Sequence, residues 1–126
     1  MSEVLKIAGT YDTPTINFDP NKGVFSISGR SLPANTFEFY APVLDAVVDY
    51  LKDPLDSTKF EFKMDFINSS STKVMQELFY QIEQVHKKGI KVYVNWYYKF
   101  GDEDMKELGD DLRQDITFPF EFIAYE

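Results

Sequence analysis

The chain has 126 residues, of which 44% are apolar and 17% aromatic, and a formal charge of −8. That is enough apolar side chain for one domain, residues 1–126, with a real core, and too much for a disordered chain. The acidic balance argues against nucleic acid or anionic lipid as the main partner, since both need a basic patch. Without cysteine, disulfides, zinc–thiolate centres and cysteine nucleophiles are excluded. The first residues lack a basic region and a long apolar run, so no signal peptide is expected. No stretch approaches the roughly 20 apolar residues that span a bilayer. A cytoplasmic location is the expectation.

Val4 to Ile7 reads as a short strand, and Thr10 to Pro14 as a loop. Thr15–Asp19 and Val24–Ser28 flank the turn signal Pro20-Asn21-Lys22-Gly23, which predicts a hairpin. Gly29 to Pro33 reads as a loop. Asn35-Thr36-Phe37-Glu38 resembles a capping box. A helix to about Lys52 follows, with Tyr40, Val43, Leu44, Val47, Val48 and Leu51 as its apolar stripe. Pro42 should kink its first turns, or the regular helix begins near Pro42 itself.

From Lys59 the chain alternates. Phe60, Phe62, Met64 and Phe66 fall on one side, and Lys59, Glu61, Lys63 and Asp65 on the other. This is a strand with one buried face. Then the period changes. Val74, Met75, Leu78, Phe79, Ile82 and Val85 recur at helical spacing until Gly89. Lys91 to Tyr98 alternates again. Met105, Leu108, Leu112 and Ile116 predict a third, acidic helix. The aromatic tail around Phe118-Pro119-Phe120 suggests a last edge strand, because proline disfavours a central one. Trp96, Tyr98, Phe100, Phe118, Phe120 and Phe122 are expected to be mostly core.

Strand–helix–strand units imply parallel pairing and right-handed crossovers. Alternating strands imply helices on one face only. The expected fold is a two-layer α/β domain with a mixed sheet. Its open face would carry Ser26, Ser28, Glu61, Lys63, Tyr93 and Asn95, and Tyr97 would be a candidate aromatic anchor for a partner.

Catalysis has little support. His86 is the only histidine and sits at the solvated end of its helix, over about 20 Å from the serines at the other end. No phosphate loop, nucleophile elbow or zinc motif is present. The acidic run Asp102–Asp111 does not match a calcium loop and reads as a solvated helix face. No metal or other cofactor is expected. The remaining feature is Asn68-Ser69-Ser70-Ser71-Thr72, a run of hydroxyls at a helix N-terminus. One of these side chains would cap the helix. Capping needs only one, and a phosphate here would meet unpaired N–H groups and the positive end of the helix dipole.

These residues resemble a known family. A strand ending in Asn68-Ser69-Ser70-Ser71 at the start of the second helix is similar to the STAS, or anti-anti-sigma-factor, phosphoswitch. The closer resemblance is to the SiaC-like regulatory phosphoproteins. It covers nearly the whole chain, including Gly9-Thr10, Thr13-Pro14, Gly29, Pro33 with Asn35, Trp96 with Tyr98, and Phe118-Pro119-Phe120. The resemblance implies a non-enzymatic, STAS-like switch. A Ser/Thr protein kinase of histidine-kinase-like ATPase fold would add a phosphate, and a PP2C-type phosphatase would remove it. The unphosphorylated form would bind and activate a diguanylate cyclase. The acceptor directly follows the Asn in that family, which implies Ser69, with Ser70 and Ser71 as second choices. Threonine is the family's usual acceptor, and serine stands here. The implied partner-binding residues are Asn68, Ser69, Ser70, Thr72 and Lys73, with Tyr97. The alternatives are a small-ligand- or anion-binding module, or a STAS-like antagonist of a sigma-factor regulator.

Overall fold

The Pro20–Gly23 turn folds the chain back on itself, with Gly23 at φ +67° and its N–H donating to the Asp19 carbonyl (2.9 Å). It joins β2 (Thr15–Asp19) to β3 (Val24–Ser31) as the predicted antiparallel hairpin. The computed structural model describes residues 3–126. A short β1 (Leu5–Ile7) pairs antiparallel with β2. Then β4 (Ser57–Ile67), β5 (Lys91–Lys99) and β6 (Phe120–Tyr125) add in parallel, so the strands of the sheet lie in sequence order. The tail is the expected edge strand, with Pro119 just before it.

Three helices cross between the parallel strands: α1 (Thr36–Leu51), α2 (Ser69–His86) and α3 (Glu103–Leu112), the last followed by a 3₁₀ turn at Arg113–Asp115. They cover one face. Ile16, Phe18, Phe25, Ile27, Phe60, Phe62, Met64, Val92, Val94 and Trp96 are buried beneath them. On α2, Met75, Leu78, Phe79 and Ile82 point into this layer. The rings interlock, with Phe62 and Phe120 stacked on either side of Trp96 at 5.6 and 6.0 Å between centroids. The other face carries Asn17, Ser26, Glu61, Tyr93, Asn95 and Tyr97, as one-sided alternation requires. No helix among the described residues is long and apolar enough to cross a membrane.

Five details differ from the sequence expectation. The first concerns Pro42, which lies inside a continuous α1 and does not start it. It sits on the exposed face, where water can serve the carbonyl that loses its helical donor. The cap is Asn35, whose side chain accepts from Glu38 N (3.0 Å). Val48 is exposed, and Tyr50 takes its place in the core, with its hydroxyl on Thr58 Oγ1 at 2.6 Å. Residues 29–31 are strand, not loop, with Gly29 at φ +104°. Phe100 is largely exposed beyond the end of β5.

The fifth difference has the widest consequences. Gly29 pairs with Met64, but Arg30 pairs with Phe66, so Asp65 is an extra residue in β4. A bulge of this kind reverses which face the following side chains occupy. Phe66 therefore turns to the open face and is 42% exposed, while Ile67 takes the buried side.

Two polar contacts hold the third crossover. The Trp96 indole donates to the Met105 carbonyl (3.0 Å). Glu83, buried on α2, accepts from the backbone N–H of Thr117 (2.9 Å) and from its hydroxyl (2.8 Å). Burial opposes the Glu83 charge, but the Thr117 hydrogen bonds, nearby Lys87 and the Phe118 N–H outweigh it and hold the carboxyl below its ordinary pKa of 4.5. Its stabilising contribution is thus complete above about pH 4.5 and is lost as pH falls through the lower folded value. Glu83→Gln should flatten the acid limb of a stability–pH curve measured by urea denaturation; an unchanged limb would assign acid sensitivity elsewhere. Gly109 allows α3 to rest on Trp96, because a Cβ there would lie 2.7 Å from both the Trp96 and Phe122 rings. Gly109→Ala should cost about 1–3 kcal/mol despite alanine's better helix propensity, read from the denaturation midpoint.

Candidate functional site at the start of the second helix

The four consecutive hydroxyls have four different environments. Asn68, and no hydroxyl, caps α2: its Oδ1 accepts from Ser71 N at 2.9 Å. Ser71 is fully buried. Its hydroxyl donates to the Ser31 carbonyl (3.3 Å) and accepts from Ser31 Oγ (2.8 Å). Ser31 Oγ in turn lies 2.5 Å from the Tyr40 hydroxyl. With the Ser31 proton used on Ser71, Tyr40 must be the donor. This chain of hydroxyls ties β3, α1 and α2 together beneath the surface, and burial pushes the Tyr40 phenol above its ordinary pKa. The Asn68 N–H also donates to the Ser31 carbonyl (2.9 Å).

Ser70 is exposed but engaged. It donates to Asn68 Oδ1 (3.3 Å) and meets Thr36 Oγ1, the first residue of α1, at 2.6 Å. Thr72 is half-buried and donates to the Asn68 carbonyl at 3.0 Å. Ser69 is exposed, and its hydroxyl makes no hydrogen bond among the described residues. Lys73 is exposed one helical turn later, on the same face, with no ion pair among the described residues. The first turn of α2 carries no acidic residue, whereas α1 has Glu38 and α3 has Glu103 and Asp104 there. An added phosphate at this end would meet no carboxylate of its own helix turn.

Asn68, Ser69, Ser70, Thr72 and Lys73 are thus brought together. Tyr97 is not part of the group by any hydrogen bond or ring contact. It lies on the open face, half-buried, where hydrogen bonding to the Glu61 carboxylate, with burial, raises its phenol above the ordinary value. The more exposed rings near the site are ones that pattern reading missed. Phe37 is 82% exposed beside Thr36, and Tyr11 is 77% exposed in the loop before β2. Arg30 lies between Tyr11 and Phe66, its guanidinium 4.8 and 5.6 Å from the two ring centres. Alternation assigned Phe66 to the core. The only hint otherwise was the adjacent pair Phe66-Ile67, which breaks strict alternation.

Elsewhere, His86 is half-buried against Phe118, with Nδ1 3.4 Å from the Ile90 carbonyl. Asp102 caps α3 through Met105 N (3.1 Å), and Asp110 pairs with Lys106 (3.3 Å) and Arg113 (3.4 Å). No three acidic or histidine side chains converge to hold a metal ion among the described residues.

The network and the exposed serine should respond differently to alanine. Ser71→Ala leaves Ser31 with an unmet buried donor and should cost about 1–3 kcal/mol in urea denaturation. Ser69→Ala should stay within about 0.5 kcal/mol of the parent chain.

Comparison with known proteins agrees with this architecture. A family model described as SiaC family regulatory phosphoprotein matches residues 7–125. A protein of Pseudomonas aeruginosa (strain UCBPP-PA14), named only as uncharacterized, is 33% identical over 122 residues, or 97% of each chain. A chain in the crystal structure of the diguanylate cyclase SiaD in complex with its activator SiaC, from Pseudomonas aeruginosa, superposes with a TM-score of 0.92 at 33% identity, covering 96% of this chain and 99% of that one. The crystal structure of apo-SiaC from the same organism gives 0.90 at 32% identity, covering 98% of this chain and all of the other. A match over nearly the whole chain, on a superposable fold, places this protein in the SiaC family of regulatory phosphoproteins.

Proposed function

We propose that the 126-residue chain acts as one non-enzymatic, cytoplasmic signalling domain switched by phosphorylation of Ser69. The observation that carries this reading is the division of labour at the start of α2. Asn68 already caps the helix, Ser71 is buried, and Ser70 and Thr72 are hydrogen bonded. Ser69 alone of the run combines exposure with an uncommitted hydroxyl. A kinase needs such an oxygen, and Ser71 could reach one only if the α1–α2 junction opened. Ser70 remains the second choice, because phosphorylation there would break its bond to Thr36.

The phosphate would carry close to two negative charges at neutral pH. It would lie at the positive end of the α2 dipole and one turn before Lys73, so the fold can keep it. The added charge would instead change what can dock on this surface. SiaC of Pseudomonas aeruginosa is the activator in a complex with the diguanylate cyclase SiaD. By that relation, the unphosphorylated chain binds and activates a diguanylate cyclase. A Ser/Thr protein kinase and a PP2C-type phosphatase set its phosphorylation state.

The test pairs mass spectrometry with binding. Incubation with the kinase should add one phosphate, located at Ser69 by peptide mapping, and Ser69→Ala should remain unmodified. Ser69→Ala should still bind and activate the cyclase, while Ser69→Asp should bind at least about tenfold more weakly. A phosphate on another residue, or normal binding by Ser69→Asp, overturns the assignment.

A further inference from the structure

Among the described residues, Arg30 is the one lysine or arginine that is not exposed and yet has no ion pair. The chain has 21 acidic residues against 13 lysines and arginines, so carboxylates are plentiful. Yet this half-buried guanidinium forms no ion pair among the described residues. Its Nε donates to the Tyr11 carbonyl at 3.2 Å. The terminal nitrogens, with four further N–H donors, have no protein acceptor among the described residues. Two rings hold the group in place, Tyr11 at 4.8 Å and Phe66 at 5.6 Å, and both rings are themselves exposed.

This arrangement is built by the backbone. Residue 66 faces outward only because of the extra residue at Asp65, and Arg30 is its register partner across the bulge. Without the bulge, Phe66 would enter the core and Arg30 would lose one wall. The bulge removes an aromatic ring from the core and places it beside an unpaired cation, three residues before Ser69. A guanidinium stacked on aromatic rings is pre-organised, since its planar fork is held before any acceptor arrives. The acceptor that fits it is a carboxylate, bound through two parallel N–H···O bonds and flanked by apolar groups that cover the rings.

We infer that Tyr11, Arg30 and Phe66 form a docking surface for an acidic side chain set among apolar residues on the partner protein, which we take to be the cyclase. The inference rests on the partner-binding reading above and names a surface of this chain that engages the partner. Charge complementarity decides the occupant. The only cation in the patch is held without an anion, so a partner supplying a carboxylate satisfies it, whereas a second copy of this chain would bring its carboxylates against a like net charge of −8. The surface lies on the open face of the sheet and ends at the strand terminus that leads into α2. A partner seated there borders Ser69, so a phosphate on Ser69 would place negative charge beside the partner's own carboxylate.

The test uses the full-length Ser69→Ala chain, fixed in its unphosphorylated form, and the purified cyclase. Isothermal titration should give at least about tenfold weaker binding for Arg30→Ala, and a clear loss for Arg30→Lys, which keeps the charge but not the fork. Tyr11→Ala should weaken binding without unfolding the chain, since Tyr11 lies in an exposed loop. An Arg30→Glu chain should regain affinity for a cyclase in which one interfacial carboxylate is replaced by arginine. If the Ser69→Ala chain binds the cyclase and Arg30→Ala, folded by circular dichroism, binds equally well, this surface is wrong and the function reading stands. If the Ser69→Ala chain does not bind the cyclase at all, the function reading fails and takes this inference with it. Concentration-dependent dimerisation in sedimentation that Arg30→Ala abolishes would assign the surface to a second copy and overturn a carboxylate-bearing partner.

Discussion

Much of the structure depends on one constraint: each parallel crossover has the same hand and steps in the same direction. Strands β3 to β6 lie in sequence order, and every step between them is parallel. A right-handed crossover repeated in one direction keeps returning its helix to the same face. All three helices therefore share one side, and the other side of the sheet stays open. The same constraint places the N-termini of α1, α2 and α3 together along the edge where the strands end. In α/β sheets this is where loops and helix starts are free to carry function.

Within that edge, two local devices set the environment of Ser69. Beneath it, the Tyr40–Ser31–Ser71 hydroxyl chain locks β3, α1 and the first turn of α2 into one unit. A buried chain of this kind tolerates no missing member, because each hydroxyl satisfies the next. Beside it, the bulge at Asp65 turns Phe66 outward against Arg30. One device makes the helix start rigid, and the other dresses the neighbouring surface with aromatic rings and an unpaired cation. A phosphate added at Ser69, as proposed, would fall on a firm support next to a surface suited to protein contact, and would act by adding charge without unfolding.

The acidic character of the chain gives this edge its contrast. Carboxylates occupy the first turns of α1 and α3 but not of α2. Lys73 and Arg30, both without ion pairs among the described residues, lie at this edge. Local charge is therefore most permissive to a new anion at the start of α2.

The elements themselves were legible in the chain. Period two in Thr58–Met64 and Lys91–Trp96, and period three to four in Met75–Ile82, are local properties of the sequence, and backbone geometry translates them directly. One-sidedness of the sheet followed from the same alternation, and a cap within Asn68–Thr72 from residue type, though not which side chain supplies it. What the sequence did not disclose depends on contacts between distant segments. The extra residue at Asp65 is defined only against Gly29 and Arg30 on another strand, so Phe66 read as core. Nothing within its own helix marks Glu83 as buried; that depends on Thr117, 34 positions later, lying on it. Ser69, Ser70 and Ser71 are chemically identical in the sequence. Only packing against Ser31, Tyr40 and Thr36 buries one, engages the second and leaves the first free, because burial is a property of the fold and not of the residue.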